Sequence, residues 1–129
     1  MTRYAFATLY AVLAFATSAQ ADDNSPSYVQ CMDKAASTLA MNVCVTDETR
    51  VQDQRLNIAY KQLIRKLEIA QVKRLREVQR DWIAFRDKNC GFHAQLSGGS
   101  MASVEQGICV MDMTQERAAE MERLLKPEQ

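Results

Sequence analysis

Residues 90–109 read CGFHAQLSGGSMASVEQGIC. Gly98-Gly99 is the one strong breaker in residues 22–129, and apolar residues recur at helical spacing on both sides of it. Before it run Val72, Leu75, Gln79, Trp82 and Phe85 or Arg86; after it run Val104, Ile108, Met111, Ala118, Met121 and Leu125. If the two helices joined by this short break are antiparallel, they form an αα-hairpin. Cys90 and Cys109 then lie eight and ten residues from the turn, close to level across the hairpin. A disulfide there would lock helix register and hold the glycine tip firmly.

Helical signals extend outward from this hairpin. Ser100 is a candidate cap for the last helix and Pro127 its stop. Leu56, Tyr60, Leu63 and Leu67 draw one stripe at steps of four, three and four. No strong breaker separates Leu67 from Val72, so either one long helix runs over about 47–92 or the chain bends near 68–70; the bend is preferred, because closing a core requires helices to fold back. Ser25-Pro26 has the pattern of an N-cap followed by proline at the first helical position. The short helix it starts carries Tyr28, Cys31, Ala35 and Leu39, and is expected to stop in MNVCVTDETR, residues 41–50. Thr46, followed by Asp47 and Glu48, is the expected start of the next helix. No run alternates as a strand does, and there are no repeats or low-complexity segments. The expected fold is all-α: one small bundle or hairpin of three to four helices stapled by two disulfides.

The first 21 residues fit a cleaved signal peptide. Arg3 supplies a basic start, residues 4–16 are mostly apolar, and Ala19-Gln20-Ala21 is a small-x-small cleavage site. The apolar run is short of the roughly 20 residues that cross a bilayer. Without a cysteine at the cleavage point, no membrane anchor is expected afterwards. A periplasmic or secreted domain of residues 22–129 follows. All four cysteines (Cys31, Cys44, Cys90, Cys109) lie in it, and an even count in an oxidising compartment reads as two disulfides. Three pairings are open; the simplest is sequential, Cys31 with Cys44 and Cys90 with Cys109. Zinc is disfavoured, since no Cys-x-x-Cys occurs and His93 is the sole histidine. No metal and no cofactor are expected.

Removing residues 1–21 takes one basic residue, Arg3, from 16 and leaves 15 against 16 acidic residues, a net charge of −1. The charge is unevenly spread. Residues 22–60 carry three basic and six acidic groups, residues 61–88 nine and four, and residues 89–129 three and six. The basic centre is expected to complement acidic neighbouring helices. It makes no dense basic stripe, so nucleic acid is not an expected partner.

Catalytic signatures are missing. There is no G-x-S-x-G elbow, no phosphate loop and no paired acidic motif, and His93 has no evident nucleophile or orienting acid beside it. The chain reads as a non-enzyme. Asp53, Asn57 and Tyr60 can share one helix face, where Asn57 and Tyr60 are expected to serve hydrogen bonds between helices. Trp82 is expected to anchor the core. Arg86 is expected to reach Asp112 or Glu116, and Arg117 to answer Asp53 or Asp87. Arg86 and Asp87, as neighbours, are not expected to pair.

Taken together, these residues resemble the lysozyme inhibitor LprI-like family of small exported bacterial proteins. The likeness rests on Cys31 and Cys44; on DQRLNIAYKQL, with Asp53, Leu56, Asn57, Tyr60 and Leu63; and on LREVQRDWIAFRDKNC, with Leu75, Gln79, Arg80, Trp82, Arg86, Asp87 and Cys90. Gly98-Gly99-Ser100, Cys109, Thr114, Arg117 and Leu124 complete it, over roughly residues 28–125. The resemblance implies a helical fold, an envelope location and, for the member that named the family, inhibition of lysozyme. That member resembles a lipoprotein, which this chain does not. The expected function is protein binding, with a lysozyme as partner, and with His93, Ser97, Gly98, Gly99 and Ser100 as the contact. Asp53, Leu56, Asn57, Tyr60, Gln79, Trp82, Arg86, Asp87 and Arg117 are expected to be structural. The alternative is an envelope-stress, structural or immunity-type interaction protein with another protein partner.

Overall fold

The computed structural model describes residues 24–126. The expected signal peptide, its cleavage site and Pro127 lie outside the described residues. The described residues form four helices: α1 (Pro26–Lys34), α2 (Thr38–Ile64), α3 (Ile69–Ser97) and α4 (Ala102–Leu125). Among the described residues there is no strand. Both disulfides follow the sequential pairing, with Cα–Cα distances of 5.6 Å for Cys31–Cys44 and 5.5 Å for Cys90–Cys109.

Ser25 caps α1 as expected, accepting from Tyr28 N–H at 3.2 Å, with Pro26 in the first turn. The break after α1 falls earlier than the sequence suggested. Residues 41–50 are helical, and α2 starts instead at Thr38, where the Ser37 hydroxyl accepts from Ala40 N–H at 3.1 Å. Thr46 is therefore not a cap. Its hydroxyl, like that of Thr49, donates back to the carbonyl four residues earlier (2.7 Å each), which lets threonine sit inside a helix.

The expected bend near 68–70 is present. Lys66 N–H donates to Leu63 O at 2.9 Å as α2 ends, and the Gln71 side chain accepts from Glu68 N–H at 3.0 Å as α3 begins. At the other end of α3, Gly98 and Gly99 take φ of 63° and 67°, a region costly for any residue with a Cβ. Ser100 does not cap α4: Met101 occupies that position and no side chain serves it.

α4 runs parallel to α2 and antiparallel to α3, and packs against both, whereas α2 and α3 scarcely touch. The lower core joins Leu56, Ala59 and Leu63 of α2 to Ala118 and Met121 of α4, with Leu67, Leu75, Trp82 and Leu125 against it. Cys44, Val45, Val104, Met111 and Cys90 continue the buried set upward. Because α4 is the wedge, α2 and α3 diverge from their shared turn and leave a groove.

Candidate functional site

The residues singled out in the sequence fall mainly in two regions, the hairpin end and the α2–α3 groove.

At the hairpin end the bracketed stretch is mostly helix. Residues 90–97 complete α3 and residues 102–109 open α4, so the true tip is only 98–101. Cys90 is fully buried and its disulfide ties the two helices just below. Some of the expected donors are already engaged. The Gly98 N–H donates to Ala94 O at 3.2 Å, and the Ser97 hydroxyl donates to the Glu105 carboxylate across the turn. His93, Gly99 and Ser100 are exposed. Phe92 packs edge-on against His93, with ring centroids 6.0 Å apart. Phe92, Leu96 and Met101 are large apolar side chains left exposed at this end, 56%, 68% and 39% respectively. The sequence reading passed over them; their position inside the bracketed stretch, off the apolar stripe, was the signal.

The groove gathers the residues of the two sequence motifs. Asp53, Leu56, Asn57 and Tyr60 line it from α2; Arg76, Gln79, Arg80, Trp82, Ile83 and Arg86 line it from α3, enclosing about 410 Å³. Trp82 packs on the lower core while also forming part of this wall. Two guanidinium groups stand over its ring, Arg86 at 5.1 Å and Arg117 at 5.7 Å from the centroid, within cation–π range.

The ion pairs differ from those expected. Arg117 donates from Nε to Gln79 Oε1 (3.0 Å) and from Nη1 to Glu120 (2.6 Å), rather than answering Asp53 or Asp87. Arg86 donates to Asp87 Oδ1 at 2.9 Å and to Thr114 Oγ1 at 3.2 Å, not to Asp112 or Glu116. The long arginine side chain folds back to reach its neighbour, which spacing along the helix backbone does not forbid. Asn57 bonds within α2, to Asp53 at 3.1 Å, not between helices.

Charge complementation between helices is carried by Arg55, which makes a two-pronged bond to Glu122 at 2.6 and 2.7 Å. That cation comes from α2, outside the basic centre. Arg74–Glu77 and Arg86–Asp87 stay within α3. The Arg55 guanidinium holds the Glu122 carboxyl below its ordinary value despite partial burial.

A third polar cluster is structural. Glu48 is 2% exposed. Burial pushes its carboxyl up, but the Ser25 hydroxyl (2.5 Å), the Gln52 amide (2.7 Å) and the Ser25 N–H (3.1 Å) together hold it below the ordinary value. The expected cap-region acid is thus the anchor for α1. Among the described residues no group of three or more His, Cys, Asp or Glu is placed to hold a metal ion.

Comparison with known proteins adds a family. The model of the lysozyme inhibitor LprI family matches residues 31–121. An uncharacterized protein of Rhizobium meliloti (strain 1021) is 28% identical over 109 residues, covering 72% of this chain and 77% of its own. No solved structure matches the chain.

Proposed function

The chain belongs to the lysozyme inhibitor LprI family, and from that membership we propose that it is a periplasmic or secreted protein that inhibits a lysozyme by docking its hairpin end into the enzyme's cleft. The family is one of inhibitors rather than enzymes. Two disulfides suit an oxidising compartment.

One observation carries the choice of surface: the Cys90–Cys109 bond fixes a two-helix end that presents both donors and apolar side chains. Lysozymes work with two carboxyl groups in a sugar-binding cleft. The His93 ring, the Gly99 N–H and the Ser100 hydroxyl are donors suited to such carboxyls. Phe92, Leu96 and Met101 supply apolar contact beside them. Because the hairpin is ordered before binding, little conformational entropy is lost on docking.

The test is a cell-wall lysis assay in which residues 22–129, oxidised, are titrated into a c-type lysozyme. Inhibition is expected, weakened about tenfold or more by His93→Ala or Ser100→Trp, as for residues central to an interface. Full lysozyme activity at micromolar protein contradicts the inhibitor reading. Inhibition that neither variant changes contradicts the choice of surface.

The second reading, an interaction protein with a different protein partner, draws on the α2–α3 groove. That groove is built from other helix segments than the hairpin end.

A further inference from the structure

We propose that the α2–α3 groove is a second binding site, for a peptide segment that carries carboxylates between apolar side chains. Arg76 and Arg80 stand one helical turn apart on α3 and both face the groove. Among the described residues neither is hydrogen-bonded or ion-paired, whereas Arg55, Arg86 and Arg117 are all engaged. The one acidic residue in the lining, Asp53, is bonded to Asn57. The groove therefore holds two uncommitted cations and a positive balance.

Its shape sets the rest of the ligand. On one side of the arginines lies the recess already described, with Leu56, Trp82 and Ile83 as its apolar residues. On the other lies a second recess of about 630 Å³, with Ile64, Leu67, Ile69 and Val72 as its apolar residues, sharing Arg76 and Arg80 with the first; Lys73 and Glu77 also line it, and Glu77 is paired with Arg74. Apolar residues thus lie on both sides of the two arginines along one trough, with Lys73 adding to its positive charge. Guanidinium groups pair with carboxylates through two parallel hydrogen bonds, which favours carboxylate at the centre. Tyr60, Asn57 and Gln79 in the wall are groups that can bond the peptide backbone. Charge and shape together select an extended acidic segment with an apolar side chain on each side.

The experiment uses the chain's single tryptophan, Trp82, as its reporter, since it forms part of the wall. The oxidised chain is titrated with the blocked octapeptide GFLEELVG and with its neutral counterpart GFLQQLVG, following Trp82 fluorescence. A saturable change is expected with the acidic peptide, about tenfold or more weaker with the neutral one, and weakening with added salt. An Arg76→Gln/Arg80→Gln double variant, both positions being exposed, is expected to keep its unfolding midpoint and lose the same factor. Equal binding of the two peptides, unchanged binding by the double variant, or no saturable signal at millimolar peptide overturns the proposal. So does inorganic phosphate, at a concentration equal to the peptide's, reversing the acidic peptide's signal, since the site would then read charge alone. None of these outcomes depends on whether lysozyme is inhibited.

Discussion

Val45 packs so closely on Gly107 that a Cβ added to the glycine would lie 2.9 Å from Val45 Cγ1. Val45 is 2% exposed and β-branched, so it has little room to turn away. α2 and α4 are therefore able to approach here because position 107 has no side chain. Gly91, in α3, has nothing within 4 Å of its own added Cβ. The same substitution is expected to act oppositely at the two sites. Gly91→Ala should stabilise by about 0.5–1 kcal/mol through helix propensity. Gly107→Ala should gain that term but lose about 1–3 kcal/mol to overpacking, for a net loss. Urea unfolding of both variants checks the pair; a stabilised Gly107→Ala contradicts the packing.

The two disulfides should differ in what their loss releases. α1 buries no residue fully, and its main contacts are with α2. Replacing Cys31 and Cys44 by alanine is expected to raise hydrogen exchange across 26–34 while the remaining helices stay protected. Replacing Cys90 and Cys109 opens the α3–α4 hairpin itself and should lower global stability by about 3 kcal/mol, the loop-closure value for this separation. Similar exchange patterns in the two variants would contradict the assignment of one bond to an appendage and the other to the bundle.

Arg117 is 8% exposed and joins α4 to α3 through Gln79 and the Trp82 face. Arg117→Ala leaves the Gln79 oxygen without that donor and uncovers the ring. A loss of about 2 kcal/mol or more is expected, with a shift in Trp82 fluorescence. Lysine should not restore it, because its ammonium cannot present the guanidinium's planar fork. Full rescue by Arg117→Lys would show that charge alone matters there.

Acid should weaken the attachment of α1. The Glu48 carboxyl is held below its ordinary value of 4.5 in the folded chain. A depressed folded pKa gives stability that is complete above the unfolded value and lost as pH falls through the folded one. The urea midpoint is expected to fall as pH drops below about 4.5, and less steeply in Glu48→Gln. Glu122, also lowered by Arg55, should keep part of the acid sensitivity in that variant. Equal slopes for the two proteins contradict the role given to Glu48.

How far the sequence could be read depends on which force set each feature. The Gly98-Gly99 turn, the Ser25-Pro26 start and the bend after α2 are local or forced by closure, and all three were legible. The start of α2 was not. Thr46, Asp47 and Glu48 have the composition of a helix N-terminus, yet two of them are used otherwise: Glu48 turns inward to hold Ser25 in a tertiary contact, and Thr46 bonds back to its own helix. Side-chain pairing was legible in part. Asp53 and Asn57 share a face as their spacing allows, but Asn57 bonds within α2 and not between helices as expected, and the partners of Arg86 and Arg117 depend on how α4 wedges between α2 and α3, which no local pattern encodes. The same wedge explains why Arg76 and Arg80 could not be singled out. Basic residues four apart look like any solvated face until the facing helix is seen to stand off.

The binding surface is most directly tested by hydrogen exchange of the oxidised chain with and without excess c-type lysozyme. Slowed exchange concentrated in residues 92–103 is the result expected if the hairpin end enters the enzyme's cleft. Slowed exchange confined to α1 or to the α2–α3 groove, or none anywhere, would contradict it.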